Sequence, residues 1–171
     1  MKKILYLLCG PAGSGKSTWA AKDAAKRPNS IIISRDAVRF ELMEDGDTYF
    51  KHEPEVFLEY CRRIREALMD NIHEVVYADA TQLSRRSRNK VLNRSGIEEI
   101  SEVEIIPVNV CTPLRKCLNN NKRREGLGRV PDATVRQMHR QFEPATFEEK
   151  YTYSSILNVG GKKKHGNLFN V

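Results

Sequence analysis

The feature that most constrains this chain lies near its N-terminus. Lys3–Cys9 (KILYLLC) is a continuous apolar run, and Gly10-Pro11-Ala12-Gly13-Ser14-Gly15-Lys16-Ser17 follows it directly. An apolar run bounded by a glycine-rich turn reads as a strand buried on both faces. Behind the turn, Ser17–Lys26 is alanine-rich and helix-favouring, and Arg27-Pro28-Asn29 stops it. A strand, a turn of pattern G-x-x-x-x-G-K-[ST] and a helix make a cradle for phosphate. Glycines let the backbone turn sharply and aim its N–H groups into an anion-binding nest. The helix N-terminus adds unpaired donors and the positive end of its dipole. Gly13, Ser14, Gly15, Lys16 and Ser17 are therefore expected to hold a nucleoside triphosphate. Lys16 reaches the β and γ phosphates, and the Ser17 hydroxyl suits Mg²⁺.

The alternation continues along the chain. Ser30–Ser34 (SIIIS) reads as a second buried strand, Glu74–Ala78 and Val103–Val110 as further strands, and Ser154–Val159 as a short last one. Glu53–Asp70 repeats apolar residues at Val56, Tyr60, Ile64 and Leu68, as an amphipathic helix does. Ser84–Asn93, Thr112–Asn120 and Asp132–Phe142 also read as helices. This order predicts one α/β domain over residues 1–160, with a central parallel sheet and helices on both faces. The length of 171 residues suits one such domain. Glu44–His52 and Lys122–Pro131 resist regular assignment, and 161–171 reads as a basic, loosely ordered tail.

Composition narrows the setting. No run reaches the roughly 18 apolar residues of a membrane span, and Ile4–Cys9 is too short for a signal-peptide core. Cys9, Cys61, Cys111 and Cys117 lie far apart with no CxxC pair, which excludes a zinc ribbon and fits free thiols in a reducing cytoplasm. The chain carries 29 Lys and Arg against 22 Asp and Glu, a net charge of +7. The excess is clustered: Gln82–Ile97 holds no acid, whereas Arg85, Arg86, Arg88, Lys90 and Arg94 are basic, and Lys162–Lys164 forms a further run. Such clusters favour a polyanionic partner such as nucleic acid.

Three more segments bear on chemistry. The second strand ends in Ser34-Arg35-Asp36-Ala37-Val38-Arg39, and a carboxylate at the C-terminal end of a parallel strand opens into the crevice where ligands sit. Asp36 can accept the proton of an attacking hydroxyl, and Arg39, one helical turn on, can hold an acceptor phosphate. An aspartate there also suits the N-cap of a helix starting at Ala37. The third strand ends in Tyr77-Ala78-Asp79-Ala80-Thr81, which places Asp79 to hold Mg²⁺ directly or through water. Behind it Arg85 and Arg88, one helical turn apart, are expected to face the acceptor. Lys122–Pro131, with Arg123, Arg124, Arg129, Gly126 and Gly128, reads as a basic lid over a transferring phosphoryl group.

Together these residues resemble the P-loop 5′-hydroxyl polynucleotide kinases, in particular the kinase module of their phage members, without its 3′-phosphatase module. The run Gly13-Ser14-Gly15-Lys16-Ser17-Thr18-Trp19-Ala20, Arg35-Asp36 with Arg39, Asp79 with Thr81, and the lid ending Val130-Pro131 carry the resemblance over roughly Met1–Phe142. It implies ATP as phosphoryl donor and a 5′-hydroxyl end of DNA or RNA as acceptor. It also implies Thr18 beside the nucleotide, Asp36 as general base, and Arg39 on the acceptor's 3′ phosphate, with Thr81, Arg85, Arg88 and Arg129 near that acceptor. Arg124 takes the lid's transition-state role, or Arg123, because the lid is one residue longer here. A phage-infected or bacterial cytoplasm and a part in nucleic-acid repair follow from the same resemblance. Three other functions share many of these features: a zeta-toxin-like or metabolite kinase, a kinase for hydroxymethyl pyrimidines in DNA, and a nucleotide-gated binding module without transfer.

Overall fold

The apolar run Lys3–Cys9 (β1) is the middle strand of a five-stranded parallel sheet in the computed structural model, which describes residues 2–160. The sheet also contains β2 (Ser30–Ser34), β3 (Val75–Asp79), β4 (Val103–Val110) and β5 (Leu157–Val159), in the order β2-β3-β1-β4-β5. The helices are α1 (Lys16–Ala24), α2 (Arg35–Leu42), α3 (Glu53–Met69), α4 (Arg85–Arg94), α5 (Leu114–Lys122) and α6 (Asp132–Gln141). Short 3-10 turns occupy Ile97–Glu99 and Gly126–Gly128.

Strand pleating explains the two cores. Side chains alternate along a strand, so Leu5, Leu7 and Cys9 face one side of the sheet and Tyr6 and Leu8 the other. The first set packs with Tyr60, Ile64 and Leu68 of α3 and Val91 and Leu92 of α4. The second packs with Ala20 and Trp19 of α1, and with Tyr77 and Val108 from neighbouring strands. A third, smaller cluster of Ala12, Cys117, Leu118 and Val135 seats the glycine-rich loop on α5 and α6. The four cysteines are free thiols, three of them buried.

Three strand expectations change, the smallest a one-residue shift of the third strand, expected over Glu74–Ala78 and found at Val75–Asp79. Ser30–Ser34 has the expected bounds but is an edge strand, with Ile32 36% exposed, because strand order along the sheet is set by contacts far apart in sequence. The last strand is shorter than expected, beginning at Leu157 rather than Ser154. The 161–171 tail, with Lys162–Lys164, lies outside the described residues. Among the described residues, no helix is long and apolar enough to cross a membrane.

The sheet positions the site through its strand ends. Ser34 and Asp79 are register partners at the ends of β2 and β3, and Asn109 of β4 pairs with Cys9 at the end of β1. The loops leaving these ends gather over one edge of the sheet, where ligands bind in open parallel α/β folds.

Candidate active site

The loop Gly10–Gly15 is held from several sides. Gly10 N–H donates to the Thr81 carbonyl at 2.9 Å, tying the loop to the segment after β3. The Thr112 hydroxyl donates to the Ser14 carbonyl (2.7 Å) and the Asn120 amide to the Gly13 carbonyl (2.8 Å). Gly13 has φ +76°, and a Cβ there would overlap the Cys117 carbonyl of α5, so no larger residue fits. Gly15, at φ +99°, turns the chain into α1, whose first turn carries Lys16, Ser17 and Thr18. The Gly10 and Ser14 N–H groups donate within the protein, to the Thr81 and Pro11 carbonyls, whereas among the described residues no acceptor takes the N–H groups of Gly13 and Gly15, which are left for an anion.

A cavity of about 510 Å³ opens beside this loop. Lys16, Ser17, Asp36, Arg39, Asp79, Thr81, Arg124 and Arg129 all line it. The sheet thus brings together eight residues singled out in the sequence. Lys16 is buried, and its ammonium donates to the Pro11 carbonyl at 2.8 Å. Burial pushes the Lys16 ammonium down to about 8; Asp79 and Asp36 oppose the shift and Arg124 adds to it.

Asp36 is held by Arg39, which the sequence singled out, and by Tyr49, which it did not. Ser34 is the N-cap of α2, its hydroxyl accepting from Ala37 N–H at 3.3 Å. Asp36 therefore sits inside the first turn and is not the cap. Its Oδ1 accepts from Arg39 Nη1 (2.6 Å) and from the Tyr49 hydroxyl (2.8 Å). Arg39 Nη2 donates to Glu53 Oε2 at 2.6 Å, Arg35 pairs with the other Glu53 oxygen, and the Arg39 guanidinium lies 4.3 Å from the Tyr49 ring centre. Tyr49 comes from the irregular segment Glu44–His52, which has no periodicity to announce it. Glu53 opens α3, where its only sequence signal is the acid preference of a first turn. The Nε atoms of Arg35 and Arg39 are buried without a hydrogen-bond partner among the described residues. Each is a donor aimed at no protein acceptor, beside a cavity both residues line.

Asp79 fits a Mg²⁺ site. It is buried at the end of β3, burial raises its carboxyl above the usual range, and the Ser17 hydroxyl and Lys16 counter that shift. A carboxylate and a hydroxyl make an oxygen donor set for a hard cation, and Mg²⁺ takes few protein ligands beside substrate phosphates. Among the described residues, no group of three or more His, Cys, Asp or Glu gathers as a metal site.

The basic segments divide. Asn121, buried at the end of α5, donates to the Val130 carbonyl (2.6 Å) and accepts from Val130 N–H (3.1 Å), closing the base of the loop 123–129. Arg124 and Arg129 of that loop line the cavity, whereas Arg123 does not. Arg88 corrects the sequence expectation. It is fully buried, donates to both carboxylate oxygens of Glu149 (3.0 and 2.5 Å) and reaches the Gln82 and Glu143 carbonyls, so it cannot meet an acceptor. Its partner lies 61 positions on, out of reach of local pattern reading. Arg85 is exposed, but outside the cavity, in a separate depression beside Glu143. The site can therefore seat a triphosphate over Lys16 and an alcohol at Asp36, with cationic groups between and around them.

Comparison with known proteins agrees with this architecture. The family model AAA_33, for an AAA domain, matches residues 5–145. No curated protein matches the sequence. The fold is similar to a fungal RNA kinase at 13% identity and TM-score 0.70, over 99% of this chain and 80% of that one. A chain of the Pnkp1/Rnl/Hen1 RNA repair complex is similar at 24% identity and TM-score 0.65, over 82% of this chain and 44% of that one. A sugar kinase from Janibacter sp. HTCC2649 is similar at 17% identity and TM-score 0.58, over 92% and 86%. The fold is that of a P-loop kinase.

Proposed function

The chain belongs to the AAA_33 family of AAA domains, and on that premise we propose that it is a polynucleotide kinase, moving the γ-phosphoryl of ATP to a 5′-hydroxyl end of DNA or RNA. One observation carries the reading: Asp36, bonded by Tyr49 and Arg39, lines the same cavity as Lys16, beside the guanidiniums of Arg124 and Arg129, which have no carboxylate partner among the described residues. That combination calls for an alcohol that also bears a phosphate. A 5′-terminal nucleotide with its 3′ phosphate is such an alcohol.

In the proposed reaction, Gly13, Ser14, Gly15 and Lys16 hold the triphosphate, with Thr18 alongside in the first turn of α1. Asp36 accepts the proton of the 5′-hydroxyl as its oxygen bonds to the γ-phosphorus. The bond from the γ-phosphorus to the bridging oxygen breaks, and ADP leaves with that electron pair. Arg39 and Arg129 hold the acceptor phosphate side, and Thr81 borders the acceptor pocket. Lys122–Pro131 closes as a lid, bringing Arg124 to the charge on the transferring group. Ser17 and Asp79 would hold Mg²⁺, which when bound supplies charge neutralisation on the phosphates. Positioning and electrostatics then provide most of the acceleration.

The test is label transfer from γ-labelled ATP to 5′-hydroxyl RNA, 5′-hydroxyl DNA, nucleosides, nucleoside monophosphates and sugars. Label at the 5′ end of a polynucleotide is expected. Label confined to a sugar or free nucleotide, or placed on a base, would overturn the reading in favour of a metabolite or base kinase. Binding of both ligands without transfer would make the protein a nucleotide-gated module.

A further inference from the structure

We infer that the exposed face of α4 is a track for the single strand downstream of the phosphorylated end, entered past Phe57; this rests on the polynucleotide reading above. The helices α3 and α4 handle their cations differently. On α3, Arg62 pairs with Glu59 and Glu66, Arg63 with Glu59 and Glu41, and Arg65 with Glu99. On α4, the single ion pair among the described residues is the buried Arg88–Glu149 contact. Arg86, Lys90 and Arg94 are exposed with no carboxylate partner among the described residues, although burial of Val91 and Leu92 fixes the helix firmly on the core.

Their spacing forms a row. Residues at i, i+4 and i+8 lie on one helix face with neighbouring Cβ atoms about 5–6 Å apart. A depression on this face is lined by Arg85, Arg86, Asn89, Lys90, Asn93 and Lys150, with no carboxylate among them. Three acids that contact α4 or Lys150 are engaged: Glu98 with Lys150, and Glu149 with Arg88, while Glu143 accepts from Arg85 N–H. Asn89 Oδ1 is buried and without a partner among the described residues. A chain of phosphates matches an unpaired cationic row that begins beside the acceptor cavity, so the polynucleotide that fills that cavity is the occupant this face fits.

Phe57 links this face to the acceptor cavity. The Arg35 guanidinium, which lines that cavity, lies 5.3 Å from the Phe57 ring centre, and the Lys90 ammonium lies 6.0 Å from the same ring. The ring is half-buried with both cations over it; a base that takes the place of the more distant Lys90 ammonium stacks on the ring and leaves that cation to a phosphate, the pairing of ring and cation that binds single strands with little sequence preference. The polynucleotide leaves the cavity beside Arg35, stacks a base on Phe57, and lays its backbone along Lys90 and then Arg86, in the depression on this face.

The experiment measures binding and turnover of the full chain carrying Arg86→Glu with Lys90→Glu, and separately Phe57→Leu. Binding of a single-stranded RNA of roughly twelve nucleotides should weaken by about tenfold or more in the double variant, and its log-log salt slope should flatten by about 1.4. The thermal midpoint and ATP binding should stay at wild type. Phe57→Leu should weaken RNA binding about fivefold or more while leaving inorganic polyphosphate binding unchanged. In turnover, KM for that RNA should rise with kcat preserved, and KM for a nucleoside 3′-monophosphate, which ends before the track, should not move. Wild-type RNA affinity and salt slope in the double variant would overturn the track, as would equal loss for RNA and polyphosphate in Phe57→Leu. Absence of transfer to every acceptor would overturn the kinase proposal alone, because the binding comparison still decides the track.

Discussion

One oxygen of Asp36 is occupied by Arg39 and Tyr49, while Oδ2 accepts no hydrogen bond among the described residues. That division suits a base, one oxygen for orientation and one for the proton. Asp36→Asn keeps the shape and removes the basicity. It is expected to lower kcat by roughly 10²–10⁴-fold, with ATP affinity by calorimetry at wild type. A variant that transfers phosphate at full rate would remove Asp36 from the chemistry. Asp79 is separable from Asp36 by a different readout. With Asp79→Asn, half-maximal activity should need roughly tenfold or more Mg²⁺, and saturating Mg²⁺ should restore much of the rate. An unchanged Mg²⁺ dependence would place Asp79 outside the metal site.

Among the elements, the loop between α5 and α6 is where geometry separates two arginines adjacent in sequence. Asn121 clamps Val130, so 123–129 projects from a closed base, and Gly126 at φ +56° turns it. Arg124 lines the cavity and Arg123 ends α5 outside it. An arginine that meets the transferring phosphoryl is worth about 10³-fold or more in rate. Arg124→Ala should therefore reduce kcat on that order, and Arg123→Ala should stay within a few-fold of wild type; single-turnover kinetics distinguish the two. Reversal of that order would give the role to Arg123.

At the scale of the whole molecule, Arg88 and Glu149 join α4 to the segment following α6, across the core that α3 and α4 form on the sheet. Tyr153 donates to Glu149 and the Gln82 and Glu143 carbonyls accept from Arg88, so both charges are hydrogen-bonded throughout. Removing one partner strands the other in the interior, a loss of about 3–5 kcal/mol. Arg88→Ala should lower the thermal midpoint and the denaturant midpoint, while KM for the acceptor in the folded fraction stays at wild type. A stable variant with a raised acceptor KM would return Arg88 to the substrate side.

What the sequence determined by itself is whatever a short stretch of chain encodes. Apolar runs, four-residue recurrence and the glycine pattern were enough for β1, α3, the glycine-rich loop, Asp79 at the end of β3 and Asp36 just beyond the end of β2, because backbone geometry repeats locally. Tertiary structure decided which side chains face one another. It set β2 at the sheet edge, turned Arg88 inward to Glu149 and brought Tyr49 and Glu53 onto Asp36 and Arg39. The physical reason is that a polar side chain settles where its charge or hydrogen bond is met, and for these residues the partner comes from another element of the chain.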